Sequence, residues 1–304
     1  MAIIEKAPLT KLNGRTVPVE RRKEVRIAKE GSDIDQSSRA VTYKIAVDKE
    51  EIERAFTLVW DNYVEAGLQK DNQQGIRFTK YHLLPDTRIF IANFHDELEM
   101  GTPSHFKEST NVVGTVSIIF DSPMGLPMEE FCGDQINNIR EEGGKVAEVT
   151  AFALNPNYTK YKVFLHLFKL LFQFAELKGV TDLCCSVAER HCRFYQKICL
   201  FEPLGELVPY SAAYKRRVQG HRLNIAQANS KAEEFYSGRE FDADLHRFFF
   251  TENYNRKKGE GRPLSSELLQ YFLAERTDYI RSLDEKDLSL LRDEYQRLDQ
   301  EFPF

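Results

Sequence analysis

Apolar and polar residues alternate from Val41 to Val47, the pattern of a half-buried strand. Asp48 then stands where a helix N-cap would, with Glu51 three residues on in a capping-box-like pair. Ile52, Ala55, Phe56, Val59 and Tyr63 follow at helical spacing. Arg88–Phe94 and Asn111–Phe120 read as two strands of an antiparallel hairpin with an enlarged polar connection, His95–Thr110. Lys145–Leu154 is a further strand, stopped by Asn155-Pro156. A long helix is predicted over Tyr158–Lys178, ended by Gly179. A short buried strand at Asp182–Val187, a short helix at Glu189–Ile198 and strands at Phe201–Tyr210 and Arg217–Ala226 complete the pattern.

The two flanks read differently. Residues 1–40 are polar and locally basic (Arg21, Arg22, Lys23, Arg26) with no period, the pattern of a flexible arm. Beyond 228 helical patterns dominate: Leu288, Leu291, Tyr295 and Leu298 share a face, Ser282 and Glu285 form a capping-box pair, and the run His246-Arg247-Phe248-Phe249-Phe250 needs burial. The predicted organisation is therefore an arm over 1–40, a main domain over 41–228 and a helical extension over 229–304. The fold class is α/β (α+β), a mixed and mostly antiparallel sheet with flanking helices.

Composition narrows the chemistry. The chain has 304 residues, 42% of them hydrophobic, and its 22 Phe against one Trp give a Phe-rich core. A net charge of −5 predicts no electrostatic grip on nucleic acid. The most apolar run, Val163–Leu177, is interrupted by His166, Lys169, Gln173 and Glu176, so no transmembrane segment is expected. Residues 1–30 contain no signal-type apolar core, and the five Cys, an odd number without paired zinc-type spacing, read as reduced thiols; a cytoplasmic location is the expectation. The scattered His residues make no H-x-x-x-H or H-E-x-x-H pattern, so no metal site and no permanently bound cofactor is expected.

The strand–helix–strand–helix stretch from 145 to 205 carries more. Glu189-Arg190-His191-Cys192-Arg193-Phe194-Tyr195, followed by Leu200-Phe201-Glu202, is similar to the H-x-x-F-Y segment of GNAT-superfamily acyltransferases. Four further segments narrow the resemblance: Gly75-Ile76-Arg77-Phe78-Thr79-Lys80-Tyr81-His82-Leu83-Leu84-Pro85; Gly114-Thr115-Val116-Ser117 with Asp121-Ser122-Pro123-Met124-Gly125-Leu126-Pro127-Met128; Ala147-Glu148-Val149-Thr150; and Tyr210 to Gly220. Together they resemble the long-chain N-acyl amino acid synthases, the FeeM-like branch of GNAT, relatives of the acyl-homoserine-lactone synthases. The resemblance covers about 41–228 and implies a GNAT-like sheet.

The implied activity is transfer of a long acyl chain from an acyl carrier protein (ACP) or coenzyme A thioester to the amine of an amino acid or similar small molecule. The implied partners are that carrier and that amine, with acyl-ACP or acyl-CoA as co-substrate. An acyl-homoserine-lactone synthase and a non-catalytic carrier-binding module are the alternatives.

Attack on a thioester needs a base for the amine proton. The resemblance assigns it to Glu148, whose apolar strand neighbours Val146, Ala147 and Val149 would raise its pKa; the plainer reading is a carboxylate facing solvent. Tyr195 matches the donor that protonates the departing thiolate, against a plain packing role, and His191 is a second candidate base or orienting group. An oxyanion site is expected from a strand bulge around Ala151, Phe152 and Ala153. Tyr158, Lys160 and Lys162, at the start of the long helix, are candidate carrier-phosphate contacts. The segment 155–162 has no Gly, which favours the single phosphodiester of a carrier protein over coenzyme A. Phe164 and Phe168 are candidate acyl-chain contacts. The family usually has Arg where this chain has Ala151; Arg77 or Arg88 is the candidate to hold a substrate carboxylate instead.

Overall fold

A seven-stranded sheet, its strands in the spatial order Val41–Ile45, Arg88–Phe94, Val112–Phe120, Val146–Leu154, Asp182–Ala188, Tyr214–Asn224 and Glu202–Ser211, is the frame of the molecule. The computed structural model describes residues 41–70, 72–95, 111–211, 214–240, 243–251 and 262–304, together with 9–12 and 15–18; of 9–12, 15–18, 159–161, 211 and 214–215 only the backbone is described. β1 (Leu9–Leu12) and β2 (Arg15–Pro18) form an antiparallel ladder. The rest of the expected N-terminal arm, and most of the His95–Thr110 connection, lie outside the described residues.

β3 (Val41–Ile45), β4 (Arg88–Phe94), β5 (Val112–Phe120) and β6 (Val146–Leu154) pair antiparallel in turn. β6 and β7 (Asp182–Ala188) pair in parallel, and β8 (Glu202–Ser211) and β9 (Tyr214–Asn224) close the sheet as an antiparallel hairpin. The mixed, mostly antiparallel sheet with flanking helices is the architecture that the hydrophobic pattern predicts. The parallel pair arises because α3 (Val163–Leu177) carries the chain back across the sheet between β6 and β7.

The sheet separates two cores. On one side α3 packs Leu167, Leu171 and Phe174 over Phe90, Ile118 and Leu183. On the other, α1 (Lys49–Glu65) and α2 (Glu129–Glu141) bury Ile52, Phe56 and Ile136. Gly114 is where α3 comes closest to β5: a Cβ there would lie 2.5 Å from Val163 Cγ1.

Several local expectations are corrected. The helix predicted as one piece over Tyr158–Lys178 is a 3-10 turn, Pro156–Tyr161, and then α3; Lys162 between them sits at φ 53°, which breaks the helical path. Asp48 occupies the N-cap position of α1 without a side-chain cap; the Glu51 carboxylate instead accepts from Val47 N–H at 3.3 Å and pairs with Lys44. The Ser282–Glu285 box is replaced by Asp284, which accepts from Asp287 N–H at 2.8 Å at the start of α6 (Glu285–Gln296), because Ser282 ends a 3-10 turn. The last strand stops at Asn224, whose side chain caps a helix. α2 has no counterpart in the predicted elements, although its buried Cys132, Ile136 and Ile139 stand at helical spacing in a mostly polar sequence.

The predicted boundary at 228 falls inside a helix, Ile225–Tyr236 (α5), and the extension joins both cores. Ala232, Tyr236 and Leu245 pack with α3, whereas Leu269, Phe272, Leu291 and Tyr295 pack with α1. Tyr295 donates to the Leu83 carbonyl at 3.0 Å, Lys80 N–H donates to the Tyr279 hydroxyl at 3.0 Å, and Lys80 Nζ meets Asp287 at 2.8 Å. These contacts clamp the 79–83 turn beside the loop that carries Arg77. No helix among the described residues is long and apolar enough to cross a membrane.

Candidate active site

β6 and β7 stay paired only from Val146↔Asp182 to Val149↔Cys185. Beyond that point β7 follows β9, up to Ala188↔Val218, while β6 follows β5, up to Leu154↔Gly114. The two strands part and leave a cleft. At the parting point β6 is irregular: Thr150 opposes Ser117 and Ala153 opposes Thr115, so Ala151 and Phe152 together face Val116. This is a β-bulge, and it holds Ala151 at φ 51°. A non-glycine residue in the left-handed region is strained, and such strain collects at functional sites.

Glu148 lies just before the bulge and is 2% exposed. Its Oε2 accepts from Met128 N–H at 2.8 Å, so the start of α2 holds one carboxyl oxygen. Burial pushes its pKa up to about 8; the Met128 N–H opposes the rise, and Glu129 and Glu130 add to it. The nearby carboxyl in turn helps raise the phenol of Tyr81 to about 12, second to burial. A carboxyl tuned this way can take a proton near neutral pH.

A polar cluster stands on the same side. Tyr63, at the end of α1, has its phenol raised by burial, while Arg77 and a hydrogen bond from the Ala151 backbone pull it down. The Arg77 guanidinium lies over the Tyr63 ring at 4.5 Å. Its Nη1 donates to Gln69 Oε1 at 2.7 Å, and its Nη2 reaches the Tyr210 hydroxyl at 3.5 Å. The cluster thus joins α1, the 75–77 loop, β8 and the bulge.

Aromatic rings fill the other side. Tyr195 sits half-buried on α4 (Cys192–Lys197), with Phe201 at 5.6 Å, Phe164 at 6.2 Å and His221 at 6.4 Å between ring centroids. Burial holds its phenol well above the usual range, and Cys185, Cys199 and Tyr63 add to the effect. Phe152, inside the bulge, packs edge-on against Phe164 at 5.2 Å, and Phe164 stacks on Phe168 at 5.8 Å.

Of the residues singled out by sequence, Glu148, Ala151–Ala153, Phe164, Tyr195 and Arg77 therefore gather around the parting strands, with Phe168 one helical turn beyond. Others stand apart. Arg88 is buried, and its Nη1 donates to the carbonyls of Pro85 at 2.7 Å and Thr87 at 2.9 Å, closing the turn before β4. His191 is exposed and its Nε2 accepts from Arg190 Nε at 2.9 Å; burial and Arg190 lower its pKa. Tyr158 packs on Phe94 at 4.8 Å in the 3-10 turn before α3, Lys162 supplies the left-handed residue, and the Lys160 side chain lies outside the described residues. Tyr63, Gln69, Tyr210 and Met128 N–H escaped sequence reasoning. Tyr63 was visible only as one more apolar position on α1. Among the described residues no group of His, Cys, Asp and Glu could hold a metal ion.

Comparison with known proteins places this arrangement. No curated protein matches the sequence. Among solved structures, FeeM, an N-acyl amino acid synthase from uncultured soil microbes, is similar at 24% identity with a TM-score of 0.51, over 62% of this chain and 93% of that one. The CoA-dependent acyl-homoserine lactone synthase BjaI is similar at 14% identity with a TM-score of 0.44, over 67% of this chain and 96% of its own; that score is too low to add to the argument. The model of the family described as N-acyl amino acid synthase FeeM matches residues 54–224, more than half of the chain. The matched span contains the whole cleft, from Tyr63 and Arg77 to Glu148, Ala151 and Tyr195, and this protein belongs to the FeeM family of N-acyl amino acid synthases and is an acyltransferase.

Proposed function

We propose that this protein transfers a long acyl chain from a carrier thioester to the α-amine of an amino acid. The observation that carries this reading is Glu148: a buried carboxyl with a pKa of about 8, beside a strained bulge, where two strands part. The amine nitrogen attacks the thioester carbonyl and forms the N–C bond, and Glu148 takes its proton, directly or through water. The carbonyl oxygen becomes an oxyanion, and backbone N–H groups freed by the bulge at Ala151–Ala153 receive it. The C–S bond then breaks, and the Tyr195 hydroxyl donates a proton to the thiolate.

The amino acid carboxylate meets Arg77. Its guanidinium is oriented by the Tyr63 ring and Gln69 and lies within reach of the Tyr210 hydroxyl. Tyr63 links that cation to the Ala151 backbone. A positive charge absent from position 151 is thus supplied from another loop. The donor arm approaches from the aromatic side, past Phe152, Phe164 and Tyr195. An acyl carrier protein is favoured as donor because the segment before α3 is a 3-10 turn of large residues with no Gly, poorly shaped for close backbone approach to a pyrophosphate. Lys160 and Lys162 are the candidates for the carrier's single phosphodiester.

Mass spectrometry of lipids from cells expressing the protein, beside Glu148→Gln, tests this. N-acylated amino acids present with the wild type and absent with the variant support it. Equal amounts with both remove Glu148 as the base, and no new lipid with either removes amino acid acylation.

A further inference from the structure

We infer that the C-terminal extension sets the length of the acyl chain this protein accepts: Phe249 and Phe250 close the far end of an apolar cavity on the donor side of the sheet. The inference rests on the acyl transfer proposed above.

The cavity measures about 20 Å³ and lies between α3, the 198–200 turn and α5, with Phe168, Phe172, Leu223, Ala232, Phe249 and Phe250 among its walls. That is room for about one water molecule or one methyl group. Its walls suit hydrocarbon better than water. The hydroxyl of Tyr236, which also lines it, donates to the Ile198 carbonyl at 3.3 Å. A water molecule there would give up hydrogen bonds, whereas a terminal methyl loses nothing.

An apolar seam joins this cavity to the bulge. Phe152 packs on Phe164 at 5.2 Å, Phe164 on Phe168 at 5.8 Å, Phe168 on Phe249 at 5.9 Å, and Phe172 on Phe250 at 4.9 Å. These rings mark the route that an acyl chain held beside Ala151 would follow along α3 to reach the cavity.

The walls come from two parts of the sequence. Phe168 and Phe172 lie within the span that matches the family, 54–224, whereas Ala232, Phe249 and Phe250 lie beyond it. The reaction site is thus built by the shared part and the end of the chain pocket by the added part. The added part is also locally unusual. Arg247–Thr251 is a π-helical turn, a rare form that is frequent at functional sites. Gln173 Nε2 on α3 donates to the Phe249 carbonyl at 3.4 Å and holds the turn against the helix.

The test compares octanoyl, dodecanoyl and hexadecanoyl thioesters with the full-length wild type, Ala232→Phe and Phe250→Ala. The readout is the ratio of hexadecanoyl to octanoyl turnover, which a general loss of folding leaves unmoved. Each methylene excluded from the cavity costs roughly fourfold. Ala232→Phe should therefore lower the ratio by about fourfold or more, and Phe250→Ala should raise it. Unchanged ratios in both variants, or an equal loss at every length, overturn the inference. Thermal shift with octanoic and hexadecanoic acids, on the same three proteins, separates it from the reading it rests on. Length-dependent binding that moves with the variants, in a protein that makes no amide, would sink the transfer and keep the cavity. Amide formation with a length preference that ignores both variants would do the opposite.

Discussion

The two faces of the sheet meet at one gap, and they are built of different material. On the face covered by α1 and α2, polar groups converge: Glu148 held by Met128 N–H, and Arg77 held by Tyr63 and Gln69. On the face covered by α3, rings converge: Phe152, Phe164, Phe168 and Tyr195. The difference matches the two substrates of the proposed reaction. A charged amino acid needs fixed countercharges, which are costly to bury and must be held in place. An acyl chain needs only area removed from water, which rings supply without direction. In the proposed reaction, the parting of β6 and β7 lets a base on one face reach a carbonyl presented from the other.

The comparison can be broken most directly at Glu148. Glu148→Gln keeps the shape and removes the proton acceptor, so turnover should fall by about 100-fold with both KM values little changed; steady-state kinetics with saturating donor checks this. Arg77→Met comes next. It should raise the KM of the amino acid by about tenfold and leave the donor KM unmoved, since charge-assisted hydrogen bonds to the carboxylate are lost on one face only. Phe164→Ala is the mirror experiment, with a donor KM up by roughly fivefold, an unchanged acceptor KM and a lower thermal midpoint. If either variant moved both KM values equally, the division of labour between the faces would fail.

The same carboxyl also bears on stability. The Glu148 carboxyl has its ordinary value of 4.5 in the unfolded chain and about 8 in the fold. Between these two the folded protein binds the proton more tightly, so stability declines as pH rises through that window and levels off above about pH 8. Urea unfolding midpoints across it should fall for the wild type and flatten for Glu148→Gln. Parallel curves would mean that Glu148 is ionised in the fold.

Much of the frame was legible in the residues. Strands such as Arg88–Phe94 and Val112–Phe120 show in their apolar runs, because both faces of the sheet are covered by helices. α3 was legible for the same reason, apart from its start, where a single left-handed residue, Lys162, splits what a periodicity reading takes as one helix. α2 was missed although Cys132, Ile136 and Ile139 stand at helical spacing, and the N–H of its N-cap residue, Met128, holds the catalytic candidate. Tyr63 and Tyr210 were hidden because they lie far apart in sequence and gain meaning only where they meet Arg77.

By itself the sequence determined the local choices: which segments are strands or helices, where Gly179 and Asn155-Pro156 stop them, and which rare carboxyl stands inside a hydrophobic strand. These follow from backbone preference and periodicity, which act over a few residues. Only the tertiary structure decided that the carboxyl is buried and its pKa raised, that the bulge falls on Ala151, that Arg77 and not Arg88 faces the polar cluster, and that residues beyond 228 finish a cavity begun by α3. Burial, register and long-range contact depend on how distant segments pack, and no local pattern carries them.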